Sequence, residues 1–291
     1  MTQMVDLSAG MIHYAETGPR DAPAVVFLHG ALVDGSLWDR VLPELPGLRC
    51  VVPTLPLGSH RTPLRDRRMA TPIGVADLVA EFLERLGLDH VTLVGNDSGG
   101  AITQLLLTRR PERIARVVLT NCDAFEHFPP RAFLPLVWLA RARLLGPYMR
   151  VVLRVGALRD TPLGFGLLHE RPLPAGALEA WVRPALSQRG VRRDAEHFAS
   201  HLDSRLTLEA AEKLGDFPGP VLLAWGADDR IFKISFAERL CREFRDARLI
   251  PIAGAKTFVP LDQPLALARA IMDLAASGAE RAVDAGRVGA T

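Results

Sequence analysis

One carboxylate in this chain is flanked by the small residues that a sharp backbone turn requires. Gly95 lies two positions before Asp97, and Gly99 lies two positions after it. An aspartate has a reference pKa of about 4, so at neutral pH it is ionised and attacks carbon without first losing a proton. This spacing predicts Asp97 as a nucleophile that forms an ester with an electrophilic carbon.

Ser98 is the alternative nucleophile at the same turn. Centred on Ser98, the flanking residues are Asn96 and Gly100, and asparagine fits poorly where a backbone passes closely. A serine must also give its proton to a base before it attacks, and no histidine follows His201. We therefore favour Asp97 over Ser98.

The residues on either side of Asp97 predict the elements that position it. The apolar segment His90–Gly95 predicts a buried strand, and the segment from Gly99 to about Arg110, just before Pro111, predicts a helix. A strand–turn–helix unit exposes its turn residue. The N-terminus of the helix would direct unpaired backbone N–H groups and a positive dipole end toward Asp97.

The whole chain alternates short apolar runs with amphipathic segments, which is typical of a mostly parallel sheet flanked by helices. A helix is predicted from the N-cap Thr71 and the first-turn Pro72 to Gly87. Eight strands are predicted: Val5–Leu7, Met11–Ala15, Ala24–Leu28, Arg49–Pro53, His90–Gly95, Ile114–Thr120, Val221–Trp225 and Arg248–Pro251.

The strand pattern lapses in the middle of the chain. Residues 125–214 are rich in leucine, proline and arginine and predict a helical lid inserted between the sixth and seventh strands. Residues 1–124 and 215–276 would then form one α/β core. Residues 277–291 are small and polar, and we expect a frayed tail there.

Composition narrows the class of protein. The 291 residues are 48% hydrophobic, enough for one large core, and a net charge of +2 gives no indication of a nucleic-acid partner.

The three cysteines have no metal-like or redox-like spacing, and we expect neither a metal nor a cofactor. Residues 1–10 lack the features of a signal peptide, and no run is apolar enough to span a bilayer. We expect a cytoplasmic protein with a small-molecule substrate; its oligomeric state stays open.

Several motifs along the chain carry a family resemblance. They are His29-Gly30, the segment 95–100, Gly226-Ala227-Asp228-Asp229, and Phe258-Val259-Pro260-Leu261-Asp262-Gln263-Pro264. In this order they resemble the α/β-hydrolase superfamily, and within it the aspartate-nucleophile branch of haloalkane dehalogenases and epoxide hydrolases. The resemblance covers nearly the whole chain outside the lid and the tail. It implies the α/β-hydrolase fold, a mostly parallel eight-stranded sheet with a lid.

The resemblance also implies roles for individual residues. The backbone N–H groups of Ala31 and Ser98 would face developing negative charge, as an oxyanion hole does. Asp229 would be the catalytic acid. Thr257 stands where the family has its catalytic histidine, and Lys256 precedes it.

The loss of that histidine affects the second half of an aspartate mechanism, in which water attacks the ester. Losing a positioned base slows such a step by roughly 10²- to 10⁴-fold. Candidate substitutes are His127, His60, Asp123 and Lys256. For Lys256 we favour an ion pair with Asp229 over a role as a base.

The substrate is only broadly indicated. Haloalkane dehalogenases usually place a tryptophan after the nucleophile, where this chain has Ser98, and often an asparagine where it has Ala31. Epoxide hydrolases use lid tyrosines, and Tyr148 is the only tyrosine in the predicted lid. We predict an enzyme that uses Asp97 on a small apolar epoxide or alkyl halide. The alternatives are a non-hydrolytic relative that binds a ligand or catalyses a lyase or rearrangement step, and a serine esterase through Ser98.

Overall fold

The computed structural model is built around an eight-stranded sheet with the strand order β1-β2-β4-β3-β5-β6-β7-β8. The structure describes residues 2–159, 161 and 164–288, without the side chains of residues 277–288. The strands are β1 (Thr2–Leu7), β2 (Gly10–Thr17), β3 (Ala24–Leu28), β4 (Arg49–Pro53), β5 (Val91–Asp97), β6 (Ile114–Cys122), β7 (Val221–Gly226) and β8 (Ala247–Ile252). Only β1–β2 and β2–β4 are antiparallel pairs among the described strands. The predicted fold class is confirmed.

Ten α-helices accompany the sheet in the described part of the chain. They are α1 (Pro72–Arg85), α2 (Ser98–Leu107), α3 (Leu134–Arg141), α4 (Leu145–Arg154), α5 (Ala177–Ser187), α6 (Arg189–Ser200), α7 (Ser204–Ala211), α8 (Ile234–Glu243), α9 (Val259–Asp262) and α10 (Pro264–Val288). Helices α3 to α7 all lie between β6 and β7 in the chain. Helices α1, α2, α8 and α10 pack on strands of the sheet.

Strand β5 continues two residues beyond its predicted end at Gly95. The prediction stopped there because Asn96 and Asp97 have the polarity of a turn. In the structure Asn96 pairs with Thr120 of β6, and after a register shift Asp97 pairs with Cys122. Parallel pairing with β6 therefore holds the backbone of the predicted nucleophile in the sheet.

The helices that flank Asp97 and β5 have the predicted end signals. The Thr71 side chain accepts a hydrogen bond from the Gly74 backbone N–H at the start of α1, and Gly87 has a φ of 59° just after its end. Helix α2 begins one residue before the predicted Gly99 and ends at Leu107. The boundaries are thus slightly displaced, while the order of the elements is as predicted.

The apolar side chains form two buried clusters. The larger one follows the sheet and includes Phe27, Trp38 and Trp225. The smaller one joins helices α4, α5 and α6 to the loop after β3, with Leu32 and Met149 among its members. The helices between β6 and β7 are therefore packed on one another and on the end of the sheet where Asp97 lies.

The boundaries predicted for the lid and the tail stay predictions. Residues 125–214 contain α3 to α7, which agrees with a helical insertion. The tail predicted at residues 277–291 falls partly outside the described residues, although the α10 backbone reaches Val288. A search of the described helices for one of sufficient length and apolarity to traverse a bilayer found none.

Candidate active site

Asp97 has an unusual backbone conformation at the junction of β5 and α2. Its φ is 53° and its ψ is −129°, and it is the N-cap of α2. A residue other than glycine in such a sparsely populated region costs about 1–3 kcal/mol and persists only where the surrounding structure enforces it. Ser98 is instead the first residue of the helix. The sharp turn is therefore centred on Asp97.

Glycines surround this turn because no side chain fits there. A Cβ atom added to Gly30 would overlap the Asp97 carboxylate, and one added to Gly99 would overlap the Leu28 carbonyl oxygen. At Gly95 it would lie 2.6 Å from a side-chain oxygen of α2. The need for small residues two positions before and after Asp97, inferred from the sequence, agrees with this packing.

The surroundings of Asp97 shift the pKa of its carboxyl group in opposite directions. Burial raises its pKa to about 7, the backbone N–H groups of Ser98 and Ala31 lower the pKa by donating to the carboxylate, and nearby Asp229 raises it. The structure thus brings together Asp97 and the two N–H groups predicted to face negative charge. The Asp97 carboxyl group is therefore harder to ionise than an ordinary aspartate.

A cavity of about 290 Å³ opens beside Asp97. Apolar side chains from α3, α4, α5 and α6 make up about half of its lining residues. Its polar side chains, among the described lining residues, are those of Asp97, Ser98, Asp123 and Tyr148. An apolar chamber with a few convergent polar groups is the usual form of a small-molecule site.

Asp123 is the second carboxyl group of this cavity. It lies just after β6, is 2% exposed, and accepts a hydrogen bond from Ser98 Oγ to its Oδ2 at 3.2 Å. Its buried Oδ1 has no hydrogen-bond partner in the described part of the protein. Burial and then the neighbouring Asp97 raise the pKa of Asp123 well above its usual value. The same described residues contain no cluster of three or more His, Cys, Asp or Glu that could hold a metal.

Asp229, the predicted acid, is fully occupied by hydrogen bonds. Its Oδ1 accepts from the backbone N–H groups of Ile231 at 2.7 Å and Phe232 at 3.0 Å. Its Oδ2 accepts from Thr257 Oγ1 at 2.7 Å and Asn121 Nδ2 at 2.9 Å. Burial raises the pKa of Asp229, and these four donors oppose that shift. Neither Asp229 nor Thr257 lines the cavity.

Asn121 was missed by the sequence reasoning. Besides its bond to Asp229, its side chain donates to the Gly226 carbonyl at 3.0 Å and accepts from the Gly226 N–H at 2.6 Å. It therefore ties the end of β6 to the end of β7. The only signal in the sequence is a polar residue at the end of a predicted buried strand.

The predicted ion pair between Lys256 and Asp229 is wrong. Lys256 Nζ lies 2.8 Å from Glu170 Oε2 and donates to the His169 carbonyl at 3.2 Å. The side chain of Lys256 thus reaches the segment before α5, while the Thr257 hydroxyl and other donors fill the positions around Asp229. Lys256 is not among the cavity residues.

The two candidate substitute histidines lie outside the cavity. His60 Nε2 is 3.2 Å from Asp194 Oδ2, and its Nδ1 accepts from the Gly58 N–H at 3.3 Å. The His127 ring packs against Phe236 with 4.2 Å between ring centroids. None of the eight histidines, all of which are described, lines the cavity. An imidazole base is therefore not part of this site as it stands.

Comparison with known sequences agrees with this architecture. The sequence pattern of the alpha/beta hydrolase fold matches residues 23–264. Haloalkane dehalogenase 2 of Mycobacterium tuberculosis is 29% identical over 279 residues, which are 92% of each chain. A 2-hydroxy-6-oxo-6-phenylhexa-2,4-dienoate hydrolase of Comamonas testosteroni is 25% identical over 258 residues, 84% of each chain.

Comparison with solved structures gives the same fold. The haloalkane dehalogenase DbeA from Bradyrhizobium elkani superimposes with a TM-score of 0.76 at 20% identity, over 95% of this chain and 99% of that one. An alpha/beta hydrolase fold protein from Burkholderia ambifaria gives 0.76 at 19% identity, over 94% and 100% of the two chains. At these identities the likeness establishes the architecture.

Proposed function

The chain belongs to the alpha/beta hydrolase fold family, and from this premise we propose that it is a hydrolase-class enzyme whose nucleophile is Asp97. The observation that carries the proposal is the placement of the Asp97 carboxylate, on a strained turn at the wall of an apolar cavity. Ser98 begins the helix that follows, so a serine mechanism is less well supported.

The substrate would be a small, largely apolar molecule with an electrophilic carbon, of the epoxide or alkyl halide type. A chamber of about 290 Å³ with few polar groups selects for such molecules. The relatives named haloalkane dehalogenase support attack at carbon. The lid proposed at residues 125–214 would supply most of the apolar wall, with Tyr148 as one polar contact.

The chemistry follows from the position of the donors. The ionised Asp97 attacks carbon, the leaving group departs with the electron pair, and an alkyl ester remains on the enzyme. When water then adds to the ester carbonyl, the backbone N–H groups of Ala31 and Ser98 stabilise the resulting oxyanion. The adduct then collapses by breaking the bond between the carbonyl carbon and the alkyl oxygen, which leaves as an alcohol with a proton that derives from the water, and the Asp97 carboxylate is regenerated.

Intact-protein mass spectrometry tests the proposal. The protein is incubated with 1,2-epoxyhexane or 1-bromohexane, and we expect a single adduct that proteolysis maps to Asp97. Asp97→Asn should form none, whereas Ser98→Ala should still form it. The proposal would be contradicted if the wild-type protein formed no adduct and Asp97→Asn turned the substrate over at the wild-type rate.

A second candidate function is proton-transfer catalysis without hydrolysis, such as a lyase or rearrangement step. The observation that favours it is the Thr257 hydroxyl on Asp229, where a hydrolase of this family has an imidazole. In that case no adduct forms. Thr257→His distinguishes the two functions, because a gain of hydrolysis would indicate a hydrolase that lacks its base.

A further inference from the structure

Asp123 lines the same cavity as Asp97, is 2% exposed, and has a buried carboxyl oxygen without a hydrogen-bond partner in the described residues. We propose that Asp123 is the catalytic acid and base of this site, and that the substrates are therefore epoxides. This inference rests on the proposed role of Asp97 as the nucleophile.

The hydrogen bonds distinguish Asp123 from the other buried acid. Asp229 accepts four hydrogen bonds and does not line the cavity, so it has no free oxygen to offer a substrate. The side chain of Asp123 accepts one bond among the described residues, from Ser98 Oγ to Oδ2. Its Oδ1 stays unoccupied. A buried polar atom without a partner is costly, and a substrate oxygen or a water would relieve that cost.

The same contacts determine which of the two carboxyl groups holds a proton. Two carboxylates close together in an apolar site do not both ionise readily. Two backbone N–H groups stabilise the charge on Asp97, whereas one hydroxyl stabilises charge on Asp123. Above about pH 7, the resting pair therefore has an ionised Asp97 and a protonated Asp123.

The first step uses this proton. An oxygen of Asp97 attacks an epoxide carbon, and the ring C–O bond breaks with its electron pair on oxygen. That oxygen takes the proton of Asp123 and becomes a hydroxyl group. The products are an alkyl ester on Asp97 and a carboxylate on Asp123.

The second step returns the proton. Esterification removes the charge of Asp97, so the Asp123 carboxylate no longer has a charged neighbour in the cavity wall. It takes a proton from water, and the hydroxide adds to the ester carbonyl carbon. The adduct collapses by breaking the bond to the alkyl oxygen, and the leaving alkoxide takes the proton of the new Asp97 carboxylic acid. The sum is epoxide plus water to diol, with both residues in their starting states.

An alkyl halide does not fit this cycle. A halide leaves without a proton, so Asp123 would still be protonated when the ester needs a base. In addition, no tryptophan, asparagine, glutamine or basic side chain is among the described lining residues to donate to a halide. The site therefore matches a leaving oxygen that stays on the product.

Asp123→Asn separates the two steps. Asparagine resembles a protonated aspartate in shape but supplies no acid. With 1,2-epoxyhexane, we expect the rate of Asp97 esterification to fall by about 100-fold or more. With 1-bromohexane, which needs no proton, esterification should stay within about fivefold of wild type, and the ester should persist in both proteins, since neither has an ionised Asp123 to act as the base. Quenched single-turnover reactions followed by intact mass give both rates.

Three controls make the outcome decisive. Asp228→Asn makes the same chemical change at an exposed acid that lies outside the cavity, and both rates should be unchanged. Asp123→Glu, which keeps a carboxyl group, should recover at least part of the epoxide reaction. Ser98→Ala removes the one hydrogen bond that the Asp123 carboxyl group accepts among the described residues, and it should slow ester hydrolysis more than epoxide opening, even if Asp123→Asn does not fold.

The failures are distinguishable. If the wild-type protein forms no adduct and its turnover is unchanged in Asp97→Asn, the role of Asp97 fails and this inference fails with it. If the wild type forms the adduct and Asp123→Asn opens the epoxide and hydrolyses the ester at wild-type rates, the role of Asp97 stands and that of Asp123 is wrong.

Discussion

The Thr257 hydroxyl donates a hydrogen bond to Asp229 Oδ2 at 2.7 Å, at the position where the sequence resemblance would place the catalytic histidine of α/β-hydrolases. A hydroxyl satisfies the acid as an imidazole N–H would. Unlike an imidazole, it does not accept a proton near neutral pH. The family's acid therefore stays buried and bonded while its usual partner for proton transfer is missing.

Thr257→Val tests whether this bond is structural. Valine has nearly the same shape but leaves Asp229 with three of its four donors. We expect the free energy of unfolding to fall by about 1–3 kcal/mol, because a buried acceptor loses its partner. Urea unfolding followed by circular dichroism measures it. The control, Thr62→Val at an exposed position, should change stability by about 0.5 kcal/mol or less. Equal stability of Thr257→Val and wild type would refute a structural role.

Gly30→Ala tests the packing around the nucleophile. The new methyl group would overlap the Asp97 carboxylate, so the carboxylate must move away from the donors that hold it. We expect Asp97 esterification to slow by about 100-fold, as displacement of a reacting group by 1 Å does. Gly156→Ala, where the added methyl group meets nothing within 4 Å, is the matched control. If Gly30→Ala were esterified at the wild-type rate, the close packing of residue 30 against the Asp97 carboxylate would not be needed for the reaction.

The pH dependence of stability reports on the buried Asp97. Its pKa is about 7 in the folded protein against 3.8 for an ordinary aspartate. Between these values the folded protein holds a proton that the unfolded chain has lost, so the free energy of unfolding falls as pH rises from about 4 to 7. Above pH 7, Asp97→Asn should be more stable than wild type by on the order of 4 kcal/mol, and near pH 4 the two should converge.

Urea titrations of both proteins at several pH values between 4 and 8 provide this measurement. Asp123 and Asp229 also have raised pKa values, so wild type and variant share a background slope of the same sign. Because the Asp97 charge also helps to raise the pKa of Asp123, the difference between the two curves reports Asp97 together with its effect on Asp123. A difference that does not grow with pH would mean that the carboxyl group is not destabilised by burial.

His60→Gln tests the assignment of His60 to the scaffold. His60 is 3% exposed and contacts Asp194, which also accepts hydrogen bonds from Arg67 and from the Leu64 backbone N–H. We expect the free energy of unfolding to fall by about 1–3 kcal/mol. The esterification rate of Asp97 should stay within twofold of wild type, in contrast to a true base. His201→Gln, at an exposed position, is the control for stability. A large loss of ester hydrolysis in His60→Gln would restore His60 as a substitute base.

The sequence predicts the nucleophile turn well because its determinants are local. The small residues at 95 and 99 and the strand before them are neighbours in the chain, and the structure shows the close packing that they permit. The replacement of the family's histidine by Thr257 stays a prediction, which rests on the motif that follows it in the sequence. The strand end was misplaced because pairing with β6, which includes Asn96 and Asp97, is not encoded in local polarity.

Contacts between distant segments could not be predicted. Asn121 meets Asp229 108 positions later in the chain, and Lys256 meets Glu170 86 positions earlier, so neither pair has a local signal. Adjacent residues 256 and 257 also point in different directions, one to the helical segment and one to Asp229. Which carboxylate each of these side chains contacts depends on how distant segments of the chain pack against one another.

Every residue of β5 is buried, from Val91 to Asp97. Amide hydrogens in such a central strand exchange with solvent only through global opening, whereas peripheral helices open in smaller, cheaper fluctuations. Asp97 thus lies in the strand whose amides should exchange most slowly. The helices that line the cavity beside it should open more readily. We therefore expect a small molecule to reach the cavity through movements of α3 to α6, which line it, without any opening of β5.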